Sequence, residues 1–127
     1  MALVTTAEMV GATHRDGCGI TAYNVIKLEH AEAIVAAADR IDKPIILQVS
    51  ENAVRFHHGQ VEPILTAVRA VAAQADVPVA VHLDHVEHAE LLYAAGEAGA
   101  SSVMFDASKL APRASRFRHP WQLRAAH

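Results

Sequence analysis

Cysteine is almost missing from this chain of 127 residues, since Cys18 is the only one. A single thiol excludes an internal disulfide and any metal site built from several cysteines. Long apolar runs are missing as well, and no stretch approaches the roughly 20 residues that a membrane-spanning helix needs. The amino terminus lacks the charged-then-apolar pattern of a secretory signal. The sequence therefore predicts a soluble, cytoplasmic protein without a membrane partner.

Acidic residues are missing after Asp106, although Asp and Glu together number 14. Residues 111–127 instead contain four arginines, whereas residues 1–110 carry a net negative charge. A basic segment of this kind can bind nucleic acid, but this one has no periodic pattern, and we expect no nucleic-acid partner. We interpret residues 1–110 as one partial domain. Residues 111–127 form a basic tail that we expect to be disordered or derived from a shifted reading frame.

The remaining chain reads as strands that alternate with helices. Apolar residues make up 52% of the sequence, which predicts a packed core. A capping box at Thr5 and Glu8 predicts a first short helix. Apolar runs predict strands over 19–25, 45–49, 77–83 and 101–105, and amphipathic patterns predict helices over 28–40, 61–75 and 87–98. The interval 50–60 is interpreted as a long loop. Repeated βα units predict an α/β fold with a parallel sheet and right-handed crossovers.

Each predicted strand ends in a polar residue. These residues are Asn24, Ser50, Asp84 followed by His85, and Asp106. Polar groups at the carboxyl ends of parallel strands are typical of the active face of a (β/α)-barrel. No glycine-rich dinucleotide fingerprint follows any strand, which argues against a Rossmann fold. A Rossmann-like sheet stays open as the second interpretation.

The third strand has two different faces. Strand side chains alternate, so Ala80, His82 and Asp84 share one face, while the neighbouring aliphatic residues share the other. A single strand histidine is often a hydrogen-bonded core residue, and a strand-end Asp is often a helix N-cap. The adjacent acid and imidazole at positions 84 and 85 favour a functional site instead. Both side chains can face that site only if the backbone turns at the strand end.

Four short segments resemble the class II, metal-dependent fructose- and tagatose-bisphosphate aldolases. The segments are Thr21-Ala22-Tyr23-Asn24-Val25, Gln48-Val49-Ser50, Val81-His82-Leu83-Asp84-His85 and Ser102-Val103-Met104-Phe105-Asp106-Ala107-Ser108. They occur in the family's order and at similar spacing, and His-Leu-Asp-His is the most specific of them. The resemblance implies the amino-terminal half of a TIM (β/α)₈ barrel, with about four parallel strands. It also implies reversible aldol cleavage of a ketose bisphosphate to dihydroxyacetone phosphate and glyceraldehyde 3-phosphate.

The resemblance assigns a role to each candidate residue. Asp84 corresponds to the catalytic acid/base, His85 to a zinc ligand, and Asp106 to a secondary residue of the metal site. Asn24 and Ser50 correspond to groups that line the substrate site, and His82 is expected to support the constellation. The implied cofactor is Zn²⁺, whose Lewis acidity stabilises the enediolate left by cleavage.

The resemblance leaves two functional alternatives open. The family takes two further zinc-binding histidines, a glutamate and its phosphate-binding loops from later strands, which have no counterpart in residues 1–110. His57 and His58 could bind a metal adventitiously, although we interpret them as a solvated pair. One alternative is an aldolase acting on fructose or tagatose 1,6-bisphosphate. The other is a non-catalytic half-barrel that binds metal or associates with itself. In both cases the two open sheet edges predict a homo-oligomer.

Overall fold

The computed structural model describes residues 2–110 and contains one sheet of four parallel strands. The elements in chain order are α1 (Thr6–Arg15), β1 (Ala22–Asn24), α2 (Leu28–Ile41), β2 (Ile45–Ser50), α3 (Glu51–Phe56), α4 (Val61–Ala73), β3 (Val79–Val86), α5 (Ala89–Glu97) and β4 (Ser102–Phe105). The predicted basic tail at 111–127 lies outside the described residues. Within the described part, no helix is long and apolar enough to cross a membrane.

The strands lie in the sheet in the order in which they occur in the chain, β1-β2-β3-β4. A doubly wound sheet would instead place some strands on the other side of the first strand. The Rossmann-like alternative is therefore wrong. A sequential parallel order with helical crossovers is the arrangement of consecutive strands in a (β/α)-barrel.

The two faces of the sheet are covered by different helices. The outer face carries Leu47, Val81 and Leu83, which are fully buried or nearly so and belong to the main core with the crossover helices. On the inner face, Met9 of α1 packs with Ile46 and Ala80 in a second, smaller cluster. The predicted alternation along the third strand is confirmed, because Ala80 faces a different cluster from Val81 and Leu83.

The capping box at the first helix is confirmed. The Glu8 N–H donates to the Thr5 hydroxyl at 3.2 Å, and the Thr5 N–H donates to the Glu8 carboxylate at 2.8 Å. Hydrogen bonds from Thr5 hold the pKa of Glu8 below its ordinary value.

The interpretation of residues 50–60 as a loop is wrong, because helix α3 follows β2 without a break. Ser50 is its N-cap and accepts a hydrogen bond from the Ala53 N–H at 3.1 Å. Ala53 and Val54 are buried against the core, which holds this short helix in place. A helix of six residues is too short to show a hydrophobic period, so the sequence pattern missed it.

Candidate active site

The carboxyl ends of β1, β2 and β3 bring three of the predicted residues to one edge of the sheet. Asn24 pairs in register with Gln48, and Ser50 pairs with Asp84. Asn24 is exposed, whereas Ser50 and Asp84 are partly buried. The parallel register therefore places amide, hydroxyl and carboxylate groups on one rim, as the strand-end pattern predicted.

A bulge at the end of β3 turns His85 toward Asp84. Leu83 pairs with Val103 and Val86 pairs with Phe105, so three steps on β3 match two steps on β4. His85 has a φ of 48°, which is the left-handed conformation. The turn places His85 Nε2 at 3.6 Å from Asp84 Oδ2. The backbone turn that both side chains require is thus present, and bulges of this kind often re-aim a side chain near an active site.

Gln48 connects two of the predicted site residues and was missed by the sequence reasoning. Its Nε2 atom donates to Asn24 Oδ1 at 2.8 Å and to Asp84 Oδ2 at 3.3 Å. The available signal in the sequence was that Gln48 is a single polar residue inside the apolar run of β2. Strand alternation places its side chain on the same face as Ile46. Gln48 therefore fixes the separation between the Asn24 amide and the Asp84 carboxylate.

His82 lies below Asp84 on the inner face and is held by a chain of hydroxyl groups. Its Nδ1 atom lies 2.6 Å from Ser102 Oγ, and Ser102 Oγ donates to Thr6 Oγ1 at 2.7 Å. His82 Nε2 is 3.7 Å from Asp84 Oδ1. Burial lowers the pKa of His82 below its ordinary value, against the opposing effect of the Asp84 carboxylate. In this environment the imidazole of His82 is neutral and is held in place beside Asp84.

Asp106 follows β4 and faces His85 from the other side. Its Oδ1 atom accepts a hydrogen bond from the Ser108 N–H at 2.9 Å, and its Oδ2 atom lies 3.9 Å from His85 Nδ1. Hydrogen bonding from Ser108 lowers the pKa of the Asp106 carboxyl. The imidazole of His85 therefore lies between two carboxylates, those of Asp84 and Asp106.

The two histidines after α3 have different surroundings. His57 Nε2 donates to the carbonyl oxygen of Ile26 at 2.5 Å, which ties the α3–α4 turn to the β1–α2 turn. His58 has a left-handed φ of 59° and is exposed. Only His58 fits the description of a solvated residue, since His57 is partly buried and bonded.

His85 and its two carboxylate neighbours are the candidate metal ligands at the rim. Imidazole and carboxylate are ligands that zinc takes, and a catalytic zinc usually has three protein ligands. Residues 2–110 contain no group of three or more His, Cys, Asp or Glu side chains placed to hold a metal ion. His85, at 64% side-chain exposure, is the imidazole available at the rim.

The sheet order defines a part of a (β/α)-barrel, and comparison with known proteins specifies the family. The family model for class II fructose-bisphosphate aldolase matches residues 4–114. The chain therefore belongs to the class II fructose-bisphosphate aldolase family.

Two relatives and one solved structure support this assignment. The chain is 39% identical over 110 residues to a fructose-bisphosphate aldolase of Geobacillus stearothermophilus, covering 85% of this chain and 38% of that protein. It is 38% identical over 106 residues to the fructose-bisphosphate aldolase of Thermus caldophilus, covering 84% and 34%. The YdjI aldolase of Escherichia coli K12 superposes with a TM-score of 0.75 at 25% identity, covering 86% and 42%. The chain thus spans little more than a third of the length of the relatives it matches, and its four strands correspond to half of a TIM barrel.

Proposed function

We propose that the rim of residues 2–110 is the acid/base part of a class II aldolase site that cleaves fructose 1,6-bisphosphate to dihydroxyacetone phosphate and glyceraldehyde 3-phosphate. The observation that carries this proposal is the convergence of Asp84 with Gln48, His82 and His85 at the carboxyl end of the sheet. Tagatose 1,6-bisphosphate, which differs in the configuration of one hydroxyl, is the second candidate substrate. The two relatives described above are fructose-bisphosphate aldolases, which favours the fructose sugar.

In this proposal Asp84 accepts the hydroxyl proton at the carbon–carbon bond that breaks. A general base must lie within hydrogen-bond reach of that proton. The side chain of Asp84 is 15% exposed, so it can touch a bound sugar while Gln48 keeps one oxygen in place. Asn24 is exposed on the same rim and supplies an amide for the sugar hydroxyls. Ser50 stands beside Asp84, although its hydroxyl already accepts a hydrogen bond as the N-cap of α3.

His85 is the residue that would hold zinc, with Asp106 as its carboxylate neighbour. Zinc bound there would stabilise the negative charge of the enediolate as a Lewis acid. A carboxylate near the second ring nitrogen commonly orients a metal-binding histidine, and Asp106 Oδ2 lies 3.9 Å from His85 Nδ1.

A cleavage assay on fructose 1,6-bisphosphate tests the proposal. The zinc-loaded chain is expected to release dihydroxyacetone phosphate, to lose activity with EDTA, and to lose it in Asp84→Asn. Asp42→Asn is the matched control, because Asp42 is exposed and precedes the amino end of β2, at the opposite end of the strands from the rim. No turnover above the blank in the zinc-loaded wild-type chain would favour the non-catalytic half-barrel.

We also propose that the chain forms a homo-oligomer through its open sheet edges. Among the described residues, β1 and β4 each have a strand neighbour on one side only. A groove of about 510 Å³ lies along the β1 edge and is lined by Tyr23, Ile34 and Ile41, among others. A second copy related by a twofold axis would place its β4 beside β1, which continues the parallel sheet. Light scattering is expected to give a dimer, and a well-folded monomer at micromolar concentration would refute this.

A further inference from the structure

Glu51 is the one buried charged residue among those that the structure describes, at 6% exposure. Its Oε2 atom accepts a hydrogen bond from the Glu87 N–H at 3.0 Å, and its Oε1 atom lies 2.6 Å from His88 Nδ1. Arg55 is more distant, at 3.7 Å, and its side chain is 55% exposed. Both carboxylate oxygens therefore contact the turn between β3 and α5, which is remote from Glu51 in sequence.

The direction of the pKa shift agrees with this bonding. Burial alone would raise the pKa of Glu51, but the hydrogen bonds from Glu87 and His88 and the charge of Arg55 lower it overall. A buried carboxylate that stays ionised needs such partners, because an unpaired charge in the interior is strongly unfavourable. Glu51 is thus ionised at neutral pH and holds the turn through these contacts.

The turn that Glu51 contacts begins two residues after His85. His85 has a φ of 48°, and a non-glycine residue keeps that strained conformation only where its surroundings hold the backbone in place. The carbonyl of Val86 accepts a hydrogen bond from the Asp106 N–H at 2.8 Å. The backbone after His85 is therefore fixed from two sides, by Asp106 of the β4 end and by Glu51 of α3.

We propose that Glu51 is a positioning residue of the aldolase site, whose carboxylate holds the Glu87-His88 turn so that His85 keeps the left-handed backbone that aims its imidazole at Asp84. This inference rests on the proposed function in the role given to His85. A purely structural Glu51 would stabilise α3 without affecting residue 85.

The test compares Glu51→Gln with Glu62→Gln in the full chain. Both changes remove a carboxylate from the first turn of a helix, but Glu62 is exposed at the start of α4. NMR without metal or sugar then reads the hydrogen exchange of the Glu87 amide and the backbone shifts of His85. In Glu51→Gln the Glu87 amide is expected to exchange about 10-fold faster or more, and His85 is expected to lose its left-handed shift pattern. Glu62→Gln is expected to match the wild type.

His88→Ala provides a second variant that removes one of the two contacts and leaves Glu51 in place. We expect it to move the same signals by a smaller amount. In the cleavage assay, Glu51→Gln is expected to lower kcat about 10- to 100-fold with little change in KM, as for a displaced catalytic group.

The outcomes separate the two ideas. A folded Glu51→Gln whose His85 signals and kcat equal those of the wild type would overturn the positioning role and leave the aldolase proposal standing. If the wild-type chain shows no turnover but Glu51→Gln still shifts the His85 signals, the positioning role stands and the aldolase proposal is overturned.

Discussion

His85 Nε2 lies 3.6 Å from Asp84 Oδ2, although the two residues are consecutive in the chain. In a regular strand their side chains would point to opposite faces of the sheet. The bulge between Leu83 and Val86 and the left-handed φ of His85 bring them together instead. An L-residue in this conformation is less stable by roughly 1–2 kcal/mol. The site geometry is thus built at some expense of stability.

Replacing His85 should reveal this strain. Because glycine adopts positive φ without steric penalty, we expect His85→Gly to be more stable than His85→Ala by about 1 kcal/mol. Urea unfolding followed by circular dichroism measures the difference. The control is the pair Glu32→Gly and Glu32→Ala, on the exposed face of α2, where the order should reverse by about 1 kcal/mol. The same order at both positions would mean that the strain at residue 85 is absent in solution.

Stability should depend on pH through His82. Its pKa is lowered in the folded chain by burial, so the unfolded chain takes up a proton at a higher pH than the folded one. This contribution is fully present above the ordinary histidine pKa of about 6.5 and is lost as the pH falls through the lower folded pKa. We expect the free energy of unfolding to decrease from pH 7 to pH 5 less steeply in His82→Gln than in the wild type.

His14→Gln serves as the control for this experiment, because His14 is exposed near the end of α1. In His14→Gln the free energy of unfolding should change with pH as steeply as in the wild type. Equal slopes in the wild type and His82→Gln would show that His82 does not carry the pH dependence.

The hydroxyl of Ser50 is expected to matter for stability first. It caps α3 by accepting the Ala53 N–H, and loss of such a cap typically costs about 1 kcal/mol. Ser50→Ala should therefore lower the free energy of unfolding by about that amount, whereas Ser50→Thr should largely retain it. If Ser50→Ala unfolds like the wild type but cleaves sugar more slowly, Ser50 serves the substrate instead of the helix.

Gln48 should affect catalysis by holding Asp84 and Asn24. Gln48→Met keeps the side-chain length and removes both donated hydrogen bonds, each worth about 0.5–1.5 kcal/mol. We expect kcat for cleavage to fall about 10-fold and the free energy of unfolding to fall by about 1–2 kcal/mol. Gln74→Met, at the exposed end of α4, is the matched control and should change neither quantity.

The sequence predicted the strands and the rim because each has a local signal. Continuous apolar runs marked the buried strands, and the polar residues that end them had to meet at one edge of a parallel sheet. Helix α3 gave no such signal, because its six residues look like part of a polar connection. β3 also extends through Val86, beyond the predicted strand, because the bulge lets the ladder continue past the polar pair.

Two site features depend on partners far away in the chain, so no local pattern could show them. The Glu51 carboxylate meets the Glu87 N–H across 36 residues. Gln48 reaches Asp84 across the same separation, 36 residues. Only the register of β2 against β3 decides these pairings, and a single sequence does not specify it.

The contact between Thr6 and Ser102 has a consequence for how the chain assembles. Their hydroxyls meet at 2.7 Å across 96 residues, whereas each βα unit closes over a much shorter loop. Contacts of long sequence separation form late, since the ordering of the intervening chain must come first. During synthesis, helix α1 leaves the ribosome before the strands of the sheet and has no complete docking surface until β4 has followed. We therefore expect α1 to dock later than the βα units that follow it in the chain.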